Sequence, residues 1–383
     1  MCIRDSDGTD LHDYPQYGQV TLNGGGSWLN SDWLYRKHLR IDSSRVAGNL
    51  ANFPVLINTT DLDWRDSSNS GHVAQADGGD IIFTAGDGVT KLDHEIERYD
   101  ETTGELVAWV EVPSLSGSAD TNLYIYYGNS SLDEEDNQWN VKGTWDEGGS
   151  DNYKGVWHLA ELNGDAQDST LYGSDGTVSG TVTQGSTGGQ IDGAYDFGTD
   201  GKVDCGDQSH HEFGTDSFTV SFWLNIDQST GSQQLVFYKG ASASWDAGYN
   251  FNTPDASATS IRFSLTADDT AQSQSPVASI TQDQWIYVVG VVDRIANRQR
   301  LYTNGTEAGS GTDITGLGTL TDSGNSIELA FSWATNWEID GLMDEVRISK
   351  TARSPEWIAT EYNNQRAPAA FYTCLLYTSD AAD

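Results

Sequence analysis

The stretch MDEVRISKTARSPEWIATEYNNQ, residues 343–365, joins two kinds of secondary structure. Val346 and Ile348 alternate with charged residues, which is the period-two pattern of a half-buried strand. Ser354 and Pro355 then suit the N-cap and the first turn of a helix. Three large apolar side chains follow within that helix: Trp357, Ile358 and Tyr362. The stretch therefore predicts a strand followed by a short amphipathic helix.

Outside this helix the chain is a series of short strand patterns. The segments alternate apolar and polar residues between Gly, Asp or Asn turns, which is typical of β-sandwiches. They form two blocks, about residues 33–128 and 153–365. Asn304-Gly305 sits between two of these segments and is a strong hairpin signal. Two segments that are apolar on both faces, FTVSFWL at 218–224 and WIYVVGVV at 285–292, are expected as central strands of a two-sheet core. We therefore predict an all-β chain of two domains.

The two ends of the chain suggest a common origin in one DNA segment. MCIRDS at 1–6 and CLLYT at 374–378 can be encoded by opposite strands of one segment, and they resemble the translated ends of a transposase-type adapter. We therefore expect residues 1–6 and 374–383 to be non-native and the rest to be an internal fragment of a longer protein with further domains. Cys205 is then the one native cysteine, which excludes an intrachain disulfide framework.

The composition excludes some partners. The formal net charge of −37 repels nucleic acid and anionic lipid. No apolar run approaches the roughly 20 residues that a membrane-spanning helix needs, so no membrane insertion is expected. An acidic surface of this kind suits a solution whose salt screens self-repulsion. We expect an extracellular or cell-surface protein.

The first block resembles the bacterial and archaeal family called domain of unknown function 2341. The segments that carry the resemblance include WLYRKHLRID at 33–42, GGDIIFTAGDGVTKLDHEIERYD at 78–100 and TNLYIYYGN at 121–129. The second block resembles concanavalin A-like jelly rolls of the laminin-G type. Its matching segments include GVWHLAELNGDAQDSTLYGSDGT at 155–177, LYTNGTEAG at 301–309 and GLMDEVRISKTARSPEWIATEYNN at 341–364.

The resemblance implies a small β-sandwich domain followed by a larger two-sheet jelly roll with a short C-terminal helix. In such a jelly roll the DEVRIS strand returns beside the first strand, GVWHLAE, and the helix is expected to cap the open end of the sandwich. The boundaries that follow are residues 7–27 for a linker or the end of a preceding domain, 28–141 for the β-sandwich, 142–152 for a linker and 153–366 for the jelly roll.

One strand offers the best case for catalysis. Asp93, Glu95 and Glu97 share a face of an ideal strand, with neighbouring side chains about 6.6–7 Å apart. Carboxylates at that separation serve as acid and base in glycoside hydrolysis. An acidic strand face paired with Arg98 or Lys91 is the better interpretation, and no nucleophile elbow, zinc-binding helix or phosphate-binding loop is present. We predict no catalytic residues.

Acidic loops after the first jelly-roll strand suggest a structural Ca²⁺. Calcium takes several oxygen ligands, which Asp-rich turns supply. The resemblance to laminin-G-type jelly rolls implies such a site, because these domains often carry one calcium near the edge where the first and last strands meet. The predicted ligands are Asp168, Asp344 and Glu161; solvated loop acids are the equal alternative.

A carbohydrate ligand would need exposed aromatic faces and neighbouring polar groups. Trp223 and Trp285 lie in apolar strands and are expected in the core. Four aromatic residues lie among small polar residues in predicted loops and are the candidate ligand contacts: Trp245, Tyr249, Trp333 and Trp337.

Three functions follow from these patterns. The first is a non-catalytic extracellular or surface module pair that binds a glycan or a surface protein within a larger protein. The second is a purely structural spacer or stalk. The third is an accessory part of a glycoside hydrolase or other secreted enzyme. The fold serves many activities, so the residues of the site have to decide among them.

Overall fold

The computed structural model of the chain describes residues 27–132, 141–149, 152–198, 200–227, 231–240, 247–267, 271–321, 324–330 and 339–375. The chain is nearly all β, as predicted. It divides into two compact units: unit 1 holds residues up to Thr144 and from Arg366 onward, and unit 2 spans Trp145–Gln365. No helix within the described ranges is long and apolar enough to cross a membrane.

The strands in chain order are β1 (Tyr35–Ile41), β2 (Leu50–Thr60), β3 (Ile82–Ala85), β4 (Lys91–Leu92), β5 (His94–Asp100), β6 (Glu105–Leu115), β7 (Thr121–Tyr127), β8 (Tyr153–Trp157), β9 (Thr177–Ser179), β10 (Val182–Thr183), β11 (Tyr195–Phe197), β12 (Lys202–Asp204), β13 (Phe218–Ile226), β14 (Leu235–Lys239), β15 (Gly248–Asn252), β16 (Ser260–Ala267), β17 (Ala271–Gln274), β18 (Ala278–Ser279), β19 (Ile286–Asp293), β20 (Arg298–Thr303), β21 (Thr306–Glu307), β22 (Thr312–Asp313), β23 (Ile327–Leu329), β24 (Gly341–Ser349) and β25 (Tyr372–Leu375). The α-helices are α1 (Val141–Thr144), α2 (Pro355–Arg366) and α3 (Pro368–Phe371), and short 3-10 turns cover Ser43–Arg45, Leu62–Trp64, Ser67–Asn69 and Ser209–His211.

Unit 1 contains two antiparallel sheets among its described residues. Sheet A has the order β25-β1-β7-β3-β4, and sheet B has the order β2-β6-β5. Leu39 and Ile125 of sheet A and Val55 and Val110 of sheet B are fully buried. The alternating patterns of these strands therefore bury one set of side chains in a core, as expected for a small β-sandwich.

The end of the chain returns to unit 1. Strand β25 pairs antiparallel with β1, with Tyr372 opposite Ile41, and Phe371 is fully buried. The Tyr372 hydroxyl donates to the backbone oxygen of Asn58 and accepts from its N–H. Residues 372–375 thus form the edge strand of sheet A, a role that no pattern in the sequence predicts and that includes Cys374 of the segment expected to be non-native.

Unit 2 also contains two large sheets. Sheet C has the order β10-β11-β24-β13-β19-β20-β21, with β8 beside β24 and β22 beside β20. Sheet D has the order β17-β16-β15-β14-β23-β12-β9, with β18 beside β16. Phe222 and Val288 of sheet C share one apolar core with Phe237 and Phe251 of sheet D. The predicted two-sheet core with central strands β13 and β19 is confirmed.

Two local predictions for unit 2 are confirmed. Strand β24 lies beside β8, with Val346 opposite Trp157, so the last strand does return to the first. Asn304 and Gly305 form the turn between β20 and β21, with φ of 50° and 75°. Positive φ at both central residues is the geometry that Asn-Gly favours in hairpins.

The position of helix α2 differs from the prediction. We expected it to cap the open end of the sandwich. Instead its Ile358 and Tyr362 pack on the outer face of sheet C, against Trp223 and Tyr287. The Trp223 indole N–H also donates to Gln365 over 2.6 Å. Trp223, Tyr287 and Val289 make that part of the outer face apolar, so the helix buries its own apolar side chains there.

The segment predicted as a linker, residues 142–152, carries structure in its described part. It contains most of α1 and Trp145, which is 1% exposed. The Trp145 ring lies edge-on to Tyr153 at 5.3 Å, and the Arg347 guanidinium lies 4.7 Å from its centre.

Candidate functional site

A cleft of about 590 Å³ opens in unit 2 beside the edge of sheet D formed by β9 and β12. Small and polar residues line it: Gly173, Ser174, Asp175, Thr177, Ser179, Lys202, Asp204, Cys205, Gly206, Gln208 and Ser326. The small side chains leave room for a ligand. The carboxylate, amide, hydroxyl and ammonium groups supply hydrogen-bond donors and acceptors.

Cross-strand pairing brings charged groups together at the floor of the cleft. Asp204 of β12 lies directly opposite Glu328 of β23, and Lys202 forms an ion pair with Glu328. Burial raises the pKa of Glu328, and the negative charge of Asp204 raises it further, while Lys202 opposes both effects. Asp204 accepts one hydrogen bond from the backbone N–H of Gly206.

Asp168 fixes the loop that forms one wall. Its carboxylate accepts hydrogen bonds from the N–H groups of Val156, Thr170 and Ser174, at 2.8–3.0 Å, and from the Thr170 hydroxyl. Its own N–H donates to Asp175. These bonds hold the loop from 168 to 175 against strand β8, and they place Ser174 and Asp175 at the cleft.

A stacked aromatic pair stands next to this wall. The rings of Tyr172 and His210 are 3.9 Å apart and nearly parallel. Nε2 of His210 lies 3.0 Å from the hydroxyl of Ser174, which lines the cleft. Lys154 donates to the Tyr172 hydroxyl over 2.6 Å and lies 4.7 Å from its ring centre. Both aromatic rings are half-buried.

Lys239 anchors the loops at the same end of sheet D. Its side chain is fully buried, and its Nζ lies 2.5 Å from Glu212 and 3.3 Å from Asp207. It also donates to the backbone oxygen of Asn325, next to Ser326 of the cleft. One buried ammonium therefore ties together two loops that flank the cleft.

The predicted calcium ligands do not form one site. Asp168 is occupied by four donors, and Glu161 accepts from the Gln167 N–H and the Tyr195 hydroxyl. Asp344 is fully buried and accepts from the Ile191 N–H over 2.8 Å. Within the described part of the chain, no group of three His, Cys, Asp or Glu side chains that includes one of these acids brings its ligand atoms within 4.8 Å of one another. The three acids serve separate backbone segments, an arrangement that does not fit one shared Ca²⁺.

The structure corrects one aromatic candidate. Tyr249 is 1% exposed, and its ring packs against Phe213, Phe218 and Phe237 in the core of unit 2. It lies on β15 with its side chain inward, so it offers no platform for a ligand. The other three candidates, Trp245, Trp333 and Trp337, lie outside the described residues and stay predictions. Trp223 is buried as predicted, and Trp285 is partly buried against the same cluster.

The acidic strand of unit 1 also differs from its prediction. A β-bulge between Ile96 and Arg98 makes Glu97 an extra residue in β5, so the alternation that would align Asp93, Glu95 and Glu97 is broken. Glu97 accepts from the Trp109 indole over 2.8 Å. A bulge is set by the partner strand, and the sequence of β5 alone does not reveal it.

A second acidic cluster was not singled out from the sequence. Burial and mutual repulsion raise the pKa of Asp227, whose neighbours include Asp196, Asp340 and Asp283. Burial and Asp340 raise the pKa of Asp196 in the same way. These residues are up to 144 positions apart in sequence, and only the pairing of β11 and β13 with β24 brings them together.

Family models match both parts of the chain. Residues 77–160 match a model described as a domain of unknown function, number 2341. Residues 197–359 match the concanavalin A-like lectin/glucanases superfamily. The chain carries a domain of unknown function 2341 followed by a concanavalin A-like domain. The cleft lies in unit 2, and six of its eleven lining residues, Lys202 to Gln208 and Ser326, fall within the concanavalin A-like match.

Solved structures are similar to part of this chain at low sequence identity. The binding domain of Paraclostridial Mosquitocidal Protein 1 is 12% identical, with a TM-score of 0.45 over 55% of this chain and 52% of that one. The binding domain of botulinum neurotoxin serotype G is 13% identical, with a TM-score of 0.45 over 55% of this chain and 50% of that one. The alignments span about half of those structures. No match was found among curated proteins.

Proposed function

We propose that the concanavalin A-like domain is a non-catalytic binding domain whose cleft takes a polyhydroxylated ligand, a glycan. The observation that carries the proposal is the cleft itself, about 590 Å³ in volume and lined by side chains that can donate and accept hydrogen bonds. A volume in the range of roughly 300–1,000 Å³ is usual for small-ligand sites.

The chemistry of the lining suits hydroxyl groups. A sugar hydroxyl both donates and accepts, so it pairs well with a carboxylate beside an amide or an ammonium group. Asp175 and Asp204 each use one carboxylate oxygen for a backbone N–H, which leaves the second oxygen for a ligand. Gln208 adds a donor and an acceptor, and Lys202 adds a donor held in place by Glu328.

The cleft is also held rigid before any ligand binds. Asp168 fixes one wall through backbone hydrogen bonds, and Lys239 fixes the loops at the other side. A preorganised site loses less conformational entropy on binding. The Tyr172–His210 pair supplies apolar ring surface next to the polar floor, which suits the C–H face of a sugar.

The setting we propose is extracellular or at a cell surface, with the chain acting beside other domains of a longer protein. The net charge of −37 supports partners other than nucleic acid or anionic lipid. A surface protein is the alternative ligand, and a purely structural spacer is the alternative role.

A glycan array with the full chain, followed by calorimetry on the best ligand, tests the proposal. Asp204→Asn should weaken binding about tenfold or more, since a hydrogen bond to a charged group contributes about 1.5–3 kcal/mol. Gln208→Ala should weaken it about two- to tenfold, since a neutral hydrogen bond contributes about 0.5–1.5 kcal/mol. Gln272→Ala is the matched control, because Gln272 is exposed on β17 at the opposite edge of sheet D.

Unchanged glycan binding by both cleft variants would show that the glycan binds elsewhere on the chain. No binding to any glycan by folded wild type would contradict the glycan proposal and favour a protein ligand or a spacer. Release of reducing sugar from a bound oligosaccharide would support the enzyme alternative instead.

A further inference from the structure

Lys37 lies inside unit 1 between two carboxylates. Its side chain is 2% exposed, and its Nζ lies 2.5 Å from Oδ2 of Asp61 and 2.7 Å from Oδ2 of Asp63. The side chain of Asp61 is 7% exposed. Lys37 belongs to β1 of sheet A, whereas Asp61 directly follows β2 of sheet B. The pair therefore connects the two sheets of the sandwich.

We propose that Lys37 and Asp61 form an isopeptide bond, an amide between the two side chains, which joins sheets A and B covalently. The geometry points to a modification site that is complete within unit 1, and it is independent of the ligand proposed for unit 2.

Both reacting groups are held by backbone structure. Lys37 lies opposite Ile125 in the β1–β7 ladder, which fixes its direction. The Asp61 backbone N–H donates to Gly104, and its Oδ1 accepts from the Asp63 N–H over 3.0 Å. With Nζ in contact with one carboxylate oxygen, the carboxyl carbon falls within about 3–3.5 Å of the amine, the distance of a near-attack arrangement.

The reaction is a condensation without oxidation or reduction. The ammonium first gives up a proton, and Nζ then attacks Cγ of Asp61, so that a C–N bond forms. A C–O bond breaks, and that oxygen leaves as water with two protons. An ammonium and a carboxylate thus become one amide and one water, and the net charge of the pair stays at zero.

Asp63 is the group that can carry the proton. Burial lowers the pKa of Lys37, but Asp61 and Asp63 outweigh it and raise the pKa overall, so the amine starts as an ammonium. Asp63 contacts Nζ directly, and its other oxygen lies 3.8 Å from Nδ1 of His72. Since Asp63 and His72 are 33% and 41% exposed, they connect the buried amine to solvent.

The surroundings protect the product. Trp64 is fully buried, and its ring centre lies 5.9 Å from Nζ. Amide formation also removes one buried charge pair, whose desolvation is costly in a protein interior. The reverse reaction needs water at Cγ of Asp61, a residue that is largely excluded from solvent.

Intact-mass spectrometry of the full chain, denatured after purification, tests the proposal. The wild type should have a mass about 18 Da below that of its sequence, the loss of one water. Trypsin cuts after Arg36, Arg40, Arg45 and Arg65, so it should release a branched peptide that joins residues 37–40 to residues 46–65.

Three variants make the test decisive. Lys37→Arg and Asp61→Ala should each have the mass calculated from their own sequence, with no loss of water. Asp63→Asn keeps both reacting residues, Lys37 and Asp61, and should also show no loss of water. Succinimide formation at an Asp-Gly pair also loses one water. Lys37→Arg keeps every Asp-Gly pair, so a loss of water that disappears in this variant cannot come from a succinimide. A full-mass wild type that is folded by circular dichroism would overturn the proposal, and so would a loss of about 18 Da that persists in Lys37→Arg.

Discussion

Arg347 and Glu361 are joined inside unit 2: Nη1 of Arg347 donates to Oε1 of Glu361 over 3.1 Å, and the two side chains are only 2% and 5% exposed. Arg347 belongs to β24 and Glu361 to α2, so the pair ties the C-terminal helix to the last strand. Arg347 also donates to Glu345 over 2.5 Å, and Glu345 pairs with His158 at 2.8 Å. The helix is therefore fixed by charge as well as by its apolar side chains.

Breaking this pair should destabilise unit 2 strongly. Glu361→Ala leaves the buried Arg347 with Glu345 as its remaining carboxylate partner, so the loss should approach but not exceed the about 3–5 kcal/mol that follows when a buried charge is left uncompensated. Urea denaturation followed by tryptophan fluorescence measures the change. Lys350→Ala is the control, since its pair with Asp216 is exposed and should contribute less than about 1 kcal/mol. Equal urea midpoints for the two variants would show that the buried pair stabilises unit 2 no more than the exposed pair does.

Acid should weaken unit 2 through Glu345. Burial by itself raises the pKa of Glu345, but His158 and Arg347 outweigh it and hold the pKa below its ordinary value. A lowered carboxyl pKa gives stability that is present above the pKa of the unfolded chain and lost as the pH falls through the folded pKa. Glu345→Gln should therefore be less stable than wild type at pH 7. The difference in their free energies of unfolding should become smaller below about pH 4. A difference in unfolding free energy that stays constant from pH 7 to pH 3 would contradict the lowered pKa of Glu345.

Asp227 should behave in the opposite sense. Its raised pKa means that ionisation costs the folded state, so stability is gained as the pH falls through the folded value. Asp227→Asn should raise the melting temperature at pH 7. The gain in the free energy of unfolding should be below about 1 kcal/mol, because solvent screens a partly exposed group. Calorimetry at pH 7 and pH 4 measures both. A stabilisation of equal size at the two values of pH would point to a cause other than charge repulsion.

The C-terminal return of the chain should matter for unit 1. Phe371 is fully buried, and replacement of such a side chain by Ala costs about 3–5 kcal/mol. Phe371→Ala should therefore increase hydrogen exchange of the β1 amides and leave β13 and β19 protected. Leu34→Ala is the control, because Leu34 is 53% exposed. Unchanged protection of β1 in Phe371→Ala would show that β25 adds nothing to sheet A.

Calcium separates two interpretations of Asp168. A shared Ca²⁺ site, as the sequence suggests, would raise the melting temperature of the full chain in calcium over chelator, and Asp168→Asn would abolish the rise. The hydrogen bonds of Asp168 lead us to expect an equal loss of stability for Asp168→Asn in both buffers. Magnesium and sodium at matched ionic strength control for screening of the acidic surface. A calcium-specific rise in wild type alone would establish the metal site and contradict our expectation.

The candidate site was only partly predictable. The sequence predicts a calcium site in the acidic loop at 161–175, because its Asp residues look alike in sequence. Their hydrogen bonds distinguish them: Asp168 holds the backbone, whereas Asp175 lines a cleft. The pairing of Asp204 with Glu328 joins residues 124 positions apart, which no local pattern reveals. The polar neighbours of Tyr249 in sequence predict an exposed loop, but the residue lies on β15 and its side chain is buried.

The sequence by itself determined the fold class, the two domains and the hairpin at Asn304-Gly305. These features depend on alternation and turn chemistry, which act between near neighbours in the chain. The tertiary structure alone decided where the helix after Pro355 packs, which acids meet at the cleft, how residues 366–375 complete sheet A, and that Lys37 faces Asp61. Each of these depends on which distant strands become neighbours, because sheet order is set by the burial of whole faces and not by the residues of one strand.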